Sequence, residues 1–274
     1  MINIKEAAVS RAEWNNIVSG FHDLSLLQTW EYGEAKTITG SGCTKRFLFL
    51  GTDNEVQGAC QCIVRKLPII NRGVVWINRG PLWRKEQNNS TAKLIEMLKQ
   101  LKHYWVTERN MYLLIAPLVT VDEIEKNVII DNGFSLLHPY AYWASARLDL
   151  SQHLETLRNN LNQKWRNCLN KAERLGIECQ SGVGLNVFNI VLDQYDKMLK
   201  DKNLKGPAAP SFLNLLQNEL DDNQKMFGLI ARRGKDFLGG ILVARYGTVC
   251  EYLVGTFNDN GKKANVGNYT LAGN

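Results

Sequence analysis

The sequence predicts an α/β protein built from two similar domains. Its 274 residues, 45% of them hydrophobic, exceed the commonest size of a single domain. Patterns typical of strands alternate with patterns typical of helices along the chain. The order of these patterns in the second half repeats the order in the first. We therefore expect two α/β domains, 1–147 and 148–274, each with a mostly antiparallel sheet and helices between strands.

The first half carries strong start and stop signals for these segments. Ser10 and Ser90 are N-cap candidates, and Gly40 and Gly133 are positioned to end helices. Strands are expected at Ile2–Lys5, Lys45–Leu50, Val56–Arg65, Val74–Ile77, Tyr112–Ile115, Phe134–Leu137 and Ala141–Asp149. Helices are expected at Arg11–Val18, Thr29–Ile38, Thr91–Thr107 and Val121–Asp131.

The stretch from Arg147 to Cys179 has the pattern of a strand, a capped helix and a second strand. Residues 147–150 alternate like a half-buried strand, and Ser151 follows as an N-cap candidate. Lys164 and Lys171 fall side by side at the edge of the helical stripe. Gly176 is positioned to end the helix.

The second half predicts two helices and then a strand meander. Helices are expected at Leu185–Lys202 and Ser211–Leu220, and strands at Lys225–Arg232, Phe237–Tyr246 and Val249–Phe257. A further helix is expected near Asn265. Because the sequence stops at Asn274, we expect that helix and at least one closing strand to be missing, and the second domain to be truncated at its C-terminal end.

Composition narrows the class of protein. No segment is long and apolar enough to span a membrane, and the first residues do not resemble a signal peptide, which predicts a cytoplasmic protein. The six cysteines lie among apolar neighbours without a C-x-x-C motif, so we expect reduced, buried thiols and no metal site. The net charge of +6 favours anionic partners such as a diphosphate, a tRNA or an anionic membrane face.

Four short motifs follow one another in an order that resembles the FemAB family of peptidoglycan-bridge aminoacyltransferases. They are Gln28-x-Trp30 with Lys36, Arg79-Gly80-Pro81, Lys164-x-Arg166 with Lys171-Ala172, and Tyr252-x-x-Gly255. The resemblance covers nearly the whole chain and is closest to the compact members that lack a coiled-coil arm. It implies two tandem GNAT-like acyltransferase domains, the second incomplete here.

The resemblance also implies a reaction. An aminoacyl group would pass from aminoacyl-tRNA to an amine of a muropeptide precursor, UDP-linked or lipid-linked, without a cofactor and with peripheral contact to the membrane. No Ser/His/Asp or Cys/His set stands out in the sequence. None is needed, because amine attack on an activated ester depends mainly on positioning and on polarisation of the carbonyl.

Four substrate-binding residues are implied, and the catalytic residues are left open. In the family, the lysine matching Lys36 binds the phosphates of the muropeptide precursor, as a flexible ammonium can do. Arg79 is held by a Gly-Pro loop, and it either faces a cleft or braces a domain contact. Tyr252 could bond a substrate carbonyl or the attacking amine, or be an ordinary strand tyrosine. Lys164 either binds substrate or belongs to a solvated helix edge.

Two other functions stay open. A CoA-dependent GNAT N-acyltransferase would need a glycine-rich pyrophosphate loop, and residues 262–268 contain one glycine at the wrong spacing. A non-catalytic binding protein would keep the fold without the chemistry.

Two departures from the family leave the acceptor open: Ala116 replaces a common acidic residue, and the loop 205–210 offers a lysine where relatives often carry arginine. Lys93, on the helix expected at Thr91–Thr107, should face solvent.

Overall fold

The computed structural model describes residues 2–67, 72–85, 90–119, 123–137, 146–206 and 208–272. The chain divides into two units. The first unit comprises Met1–Tyr140, Asn218–Leu220 and Tyr246–Val249, and the second comprises Ala141–Gln217, Asp221–Arg245 and Cys250–Asn274. The boundary predicted between residues 147 and 148 stays a prediction. Within the described ranges, no helix has the length and apolar content needed to cross a membrane.

A five-stranded sheet forms the first unit. Its strands lie side by side in chain order: β1 (Asn3–Glu6), β2 (Cys43–Leu50), β3 (Val56–Lys66), β4 (Gly73–Asn78) and β5 (Tyr112–Ala116). Neighbouring strands are antiparallel except β4 and β5, which are parallel. This mostly antiparallel sheet confirms the sequence prediction.

The helices of the first unit begin at the predicted signals. They are α1 (Arg11–Ser19), α2 (Trp30–Ile38), α3 (Thr91–Lys102) and α4 (Glu123–Asp131). Ser10 and Glu13 form a complete capping box at α1, and the Thr29 hydroxyl accepts from the backbone N–H of Tyr32 at α2. The predicted helix Thr91–Thr107 is interrupted, since α3 ends at Lys102 and a π-helical turn, His103–Thr107, follows it.

Helices cover the two faces of this sheet differently. One face buries a core that includes Phe47, Cys62 and Ile77 against Leu94 and Leu98 of α3. On the opposite face α2 packs over β2 and β3, where Gly33 allows close approach: a Cβ there would lie 2.4 Å from Gln61 Oε1.

A four-stranded sheet forms the second unit. The strands, in their order across the sheet, are β6 (Glu178–Gly182), β7 (Phe227–Arg233), β8 (Asp236–Tyr246) and β9 (Val249–Phe257). The helices are α5 (Leu154–Asn160), α6 (Gln163–Glu173), α7 (Leu185–Asp201), α8 (Pro210–Glu219), α9 (Asp259–Lys263) and α10 (Val266–Ala272). The expectation that the helix near Asn265 is missing was wrong, because α10 begins at Val266, and α9 was not predicted.

The stretch around residue 150 differs from the prediction in two ways. Residues 147–149 form no strand, and the Ser151 hydroxyl donates to Asp149 Oδ1 instead of capping a helix. The single helix expected after it is two helices, because the Asn162 side chain accepts from the Trp165 N–H at 2.8 Å and starts α6 afresh. Gly176 ends this region with φ +63°, as predicted.

Other expectations were wrong or lie outside the described ranges. Residues 134–137 form no strand, and residues 141–145 of the next expected strand are outside the described part of the chain. All six cysteines are free, and Cys60 and Cys62 are buried as expected. Cys43 and Cys250 are exposed, which was not expected, and both lie near strand ends.

Candidate functional site

Lys36 lies in the last turn of α2 with its stem partly buried. Its Nζ is 5.4 Å from the centre of the Tyr32 ring. Burial lowers the pKa of Lys36, and the nearby Arg65 guanidinium lowers it further. Two cations therefore lie close together at the C-terminal end of α2, which favours an anionic ligand there.

A buried arginine fixes α2 on the sheet. Arg46 Nη2 donates to Glu34 Oε1 at 2.9 Å and to the Trp30 carbonyl at 3.1 Å. Its Nε donates to Gln61 Oε1 at 2.9 Å, and its guanidinium stacks 3.5 Å from the centre of the Trp30 ring. Burial lowers the pKa of Arg46, while the bond to Glu34 acts in the opposite direction. The Trp30 of the first motif is thus a stacking partner that helps to place the helix carrying Lys36.

Gln28 connects the first motif to the loop that carries Arg79. Its fully buried amide donates to the carbonyls of Gln61 (3.1 Å) and Asn78 (2.8 Å) and accepts from the Gln61 N–H (2.7 Å). Gly80 packs directly on this amide, since a Cβ there would lie 2.8 Å from Gln28 Cδ. The structure therefore brings together two motifs that are separate in the sequence.

Arg79 itself follows β4 in a left-handed conformation, with φ +52°. Its N–H donates to the Ala116 carbonyl at 2.7 Å, and the Gly80–Pro81 peptide bond after it is cis. The rigidity expected from Gly-Pro stays a prediction. Lys36 and Arg79 belong to the first unit, and the Gln28–Gln61–Arg46 network links the segments that carry them.

Lys93 was expected on the solvent face of α3, and that expectation was wrong. Its side chain is only 8% exposed, because it lies on the flank of α3 near the buried Asp23 carboxylate. Asp23 accepts from the backbone N–H groups of Trp83 and Arg84, both at 3.1 Å, and burial raises the pKa of Asp23. The helical pattern alone did not reveal this burial.

Tyr252 lies on β9 in the second unit and is 48% exposed. Burial raises its pKa, and the neighbouring phenol of Tyr195 adds to the effect. Tyr195, on α7, donates to the Ala208 carbonyl at 3.2 Å. A Cβ at Gly255 would lie 2.3 Å from the Tyr252 hydroxyl, which explains the spacing of the Tyr-x-x-Gly motif. Sequence reasoning missed Tyr195, because an aromatic residue on an amphipathic helix carries no distinctive signal.

Lys164 and Lys171 line one shallow cavity of about 540 Å³ in the second unit, as their helical spacing suggested. The other lining residues are Gln163, Asn167, Cys168 and Asn265. Within the described part of the chain, no carboxylate pairs with either lysine. The lining thus includes two ammonium groups and three amide side chains, which can bind an anion.

Comparison with known proteins bears on the fold. No protein-family model and no curated protein matches the sequence. Among solved structures, FemX matches with a TM-score of 0.74 at 14% identity, over 98% of this chain and 84% of FemX. The chain has the FemX fold. A conserved protein of unknown function from Bacteroides thetaiotaomicron matches with a TM-score of 0.55 at 11% identity, over 97% of this chain and 88% of that one.

The FemX likeness confirms the α/β fold that the resemblance implied for both halves of the chain. At 14% identity it concerns the fold alone. The roles of Lys36, Arg79, Lys164 and Tyr252 must therefore be argued from their own surroundings.

Proposed function

We propose that the protein transfers an aminoacyl group, with aminoacyl-tRNA as the donor, to an amine of a muropeptide precursor or a similar cell-envelope acceptor. The observation that carries the proposal is the FemX fold across 98% of the chain, which agrees with the family resemblance read from the four motifs. Because this donor is made inside cells, the proposal places the protein in the cytoplasm.

Lys36 is the proposed ligand for the acceptor phosphates. Its ammonium is partly removed from water and lies near the Arg65 guanidinium, so each cation raises the free energy of the other. A phosphate or diphosphate would relieve that repulsion and regain charge-assisted hydrogen bonds. Arg79, on the rigid loop held by Gln28, is the proposed second contact on the first unit.

Tyr252 is the proposed hydrogen-bond donor to the reacting carbonyl. Its phenol is protonated at neutral pH, since its pKa is raised further above the ordinary value of 10.0, so it can donate to an oxygen that gains negative charge. In the reaction, the acceptor amine forms a C–N bond to the aminoacyl carbon. The ester C–O bond then breaks, and the amine proton passes to the leaving ribose oxygen. The cavity lined by Lys164 and Lys171 is proposed to hold anionic groups of the donor.

The test is a transfer assay read by mass spectrometry. The protein is incubated with UDP-muramoyl-pentapeptide and either charged tRNA or acetyl-CoA. We expect the muropeptide to gain an amino-acid residue with charged tRNA and nothing with acetyl-CoA. Tyr252→Phe should reduce the rate while leaving the thermal unfolding unchanged. Acetylation of the muropeptide or of another amine from acetyl-CoA would overturn the proposed donor.

A further inference from the structure

One face of the sheet in the first unit carries exposed aromatic residues. Strand pairing joins Ile63 to Trp76 and Arg65 to Val74 between β3 and β4, and it joins Val74 to Tyr112 between β4 and β5. Paired residues point to the same side of a sheet, and side chains alternate along each strand. The side chains that share this side, called the aromatic face below, are Ile63, Arg65, Val74, Trp76, Tyr112 and Leu114.

The aromatic face lies opposite the core that packs on α3. Cys62, Val64, Val75 and Ile77 point into that core and are buried. On the other side α2 covers β2 and part of β3, where it meets Gln61. On β4 and β5 this side of the sheet is exposed at Trp76 and Tyr112.

The exposure of this face is large for apolar side chains. Trp76 is 53% exposed and Tyr112 is 60% exposed, whereas Phe47, Val75 and Ile77 on the core side of the same sheet are buried. Leu67 directly follows β3 and is 53% exposed. Its N–H donates to the Arg72 carbonyl. Ile38, at the end of α2, is 58% exposed. Trp76 and Tyr112, which share one side of the neighbouring strands β4 and β5, form an exposed apolar patch of the kind that marks an interaction surface.

The charged residues on the strands of the aromatic face, and Arg72 beside them, are positive. Arg65, Lys66 and Arg72 are exposed, and no carboxylate in the described ranges pairs with them. Arg65 Nε donates to the neutral Ser41 carbonyl, so its charge is not compensated there. The strands β3, β4 and β5 contain no Asp or Glu. An occupant of this face must therefore be apolar at its centre and anionic at its rim.

We propose that the aromatic face docks on an anionic membrane surface. Tryptophan and tyrosine prefer the headgroup level of a bilayer, where an apolar ring body and a polar edge are both satisfied. Aliphatic side chains beside them enter the acyl boundary, and cations at the rim meet anionic headgroups. A sheet face is broad and shallow, whereas small-molecule sites are concave, so the geometry favours a lipid surface over a soluble ligand.

Docking of the aromatic face on a membrane would also affect which acceptor Lys36 can reach. Arg65 lies near Lys36, so a membrane on this face would bring Lys36 close to the headgroups. This position of Lys36 favours a lipid-linked acceptor over a UDP-linked one. Only this preference rests on the proposed function. The docking itself requires no acyl transfer.

The experiment measures the binding of the whole protein to vesicles without any acceptor. Vesicles of phosphatidylcholine alone are compared with vesicles that also contain phosphatidylglycerol, at low and moderate salt. We expect binding only with phosphatidylglycerol, and weaker binding as salt rises. Lys66→Gln with Arg72→Gln should weaken binding by about fivefold per cation. The matched control, Lys5→Gln with Lys99→Gln, removes two exposed charges elsewhere in the unit and should leave binding unchanged.

A second measurement tests the orientation without relying on disruptive variants. Brominated lipids should quench part of the tryptophan fluorescence, and the conservative variant Trp76→Tyr should lose that part. Equal binding to both vesicle types, no binding at all, or quenching that Trp76→Tyr leaves intact would each overturn the proposal. So would a UDP-linked muropeptide that protects Trp76 from a soluble quencher without lipid, because the face would then hold a soluble ligand. Because vesicle binding and acyl transfer are read separately, either can fail while the other stands.

Discussion

Replacement of Lys36 by alanine should weaken acceptor binding without weakening the fold. A hydrogen bond to a charged group contributes about 1.5–3 kcal/mol, which corresponds to a loss of about 10- to 150-fold in affinity. The partial burial of Lys36 and its proximity to Arg65 favour the upper part of that range, because a bound phosphate would relieve both the desolvation and the repulsion. Lys36→Arg should recover only part of the binding, since a planar guanidinium does not replace a compact ammonium.

The pH dependence follows from the lowered pKa of Lys36. Since the pKa in the folded protein is below the ordinary 10.5, the charged form costs stability at neutral pH, and that cost disappears as pH rises through the folded pKa. Removing the charge should therefore leave the free energy of unfolding unchanged or slightly higher. Affinity for the acceptor should fall as pH rises through the same pKa, because the ammonium is lost. Lys36→Ala should not show that fall.

Isothermal titration with a UDP-linked muropeptide, at low and moderate salt, measures these effects. The difference between wild type and Lys36→Ala should shrink with salt, since a partly exposed ion pair is screened. Lys99→Ala, on the exposed side of α3, is the control and should bind like wild type. Lys93 is unsuitable as a control because it is buried. Equal affinities for wild type, Lys36→Ala and Lys99→Ala would refute the role given to Lys36.

Three further predictions concern the fold. Gln28→Leu leaves two buried carbonyls and an N–H unpaired, so urea unfolding should show that the free energy of unfolding falls by about 3 kcal/mol or more. A fall of less than about 1 kcal/mol would contradict the role of this hydrogen-bond network. Glu173→Gln breaks the bonds from Arg158 that join α5 to α6 and should cost less than about 1 kcal/mol. Because the pKa of Glu173 is lowered, the difference in free energy of unfolding between wild type and Glu173→Gln should be present above about pH 4.5. It should vanish as pH falls through the pKa of Glu173 in the folded protein, and a difference that does not change with pH would refute this. Thiol titration of the unfolded protein should find six free thiols, with Cys43 and Cys250 reacting first in the native protein, and fewer than six would refute the prediction.

Local signals in the sequence predicted much of the fold. The Ser10–Glu13 capping box, the glycines with positive φ and the strand alternation of Val249–Phe257 depend on residues close in the chain, so they could be read directly. The break at Asn162 could not, because the amphipathic stripe continues across it while one side chain restarts the helix.

The candidate site was harder to predict because its contacts are distant in sequence. Gln28 meets Gln61 and Asn78 across 33 and 50 positions, and nothing local marks that pairing. The neighbouring phenols of Tyr195 and Tyr252 likewise come from different elements. A period-3.6 pattern places Lys93 on α3 without showing that other elements bury it.

The most direct test of the proposed function compares two ligands by isothermal titration. The protein is titrated with UDP-muramoyl-pentapeptide and, separately, with acetyl-CoA. The proposal predicts saturable binding of the muropeptide that depends on Lys36, and no binding of acetyl-CoA. Tight binding of acetyl-CoA without binding of the muropeptide would contradict it.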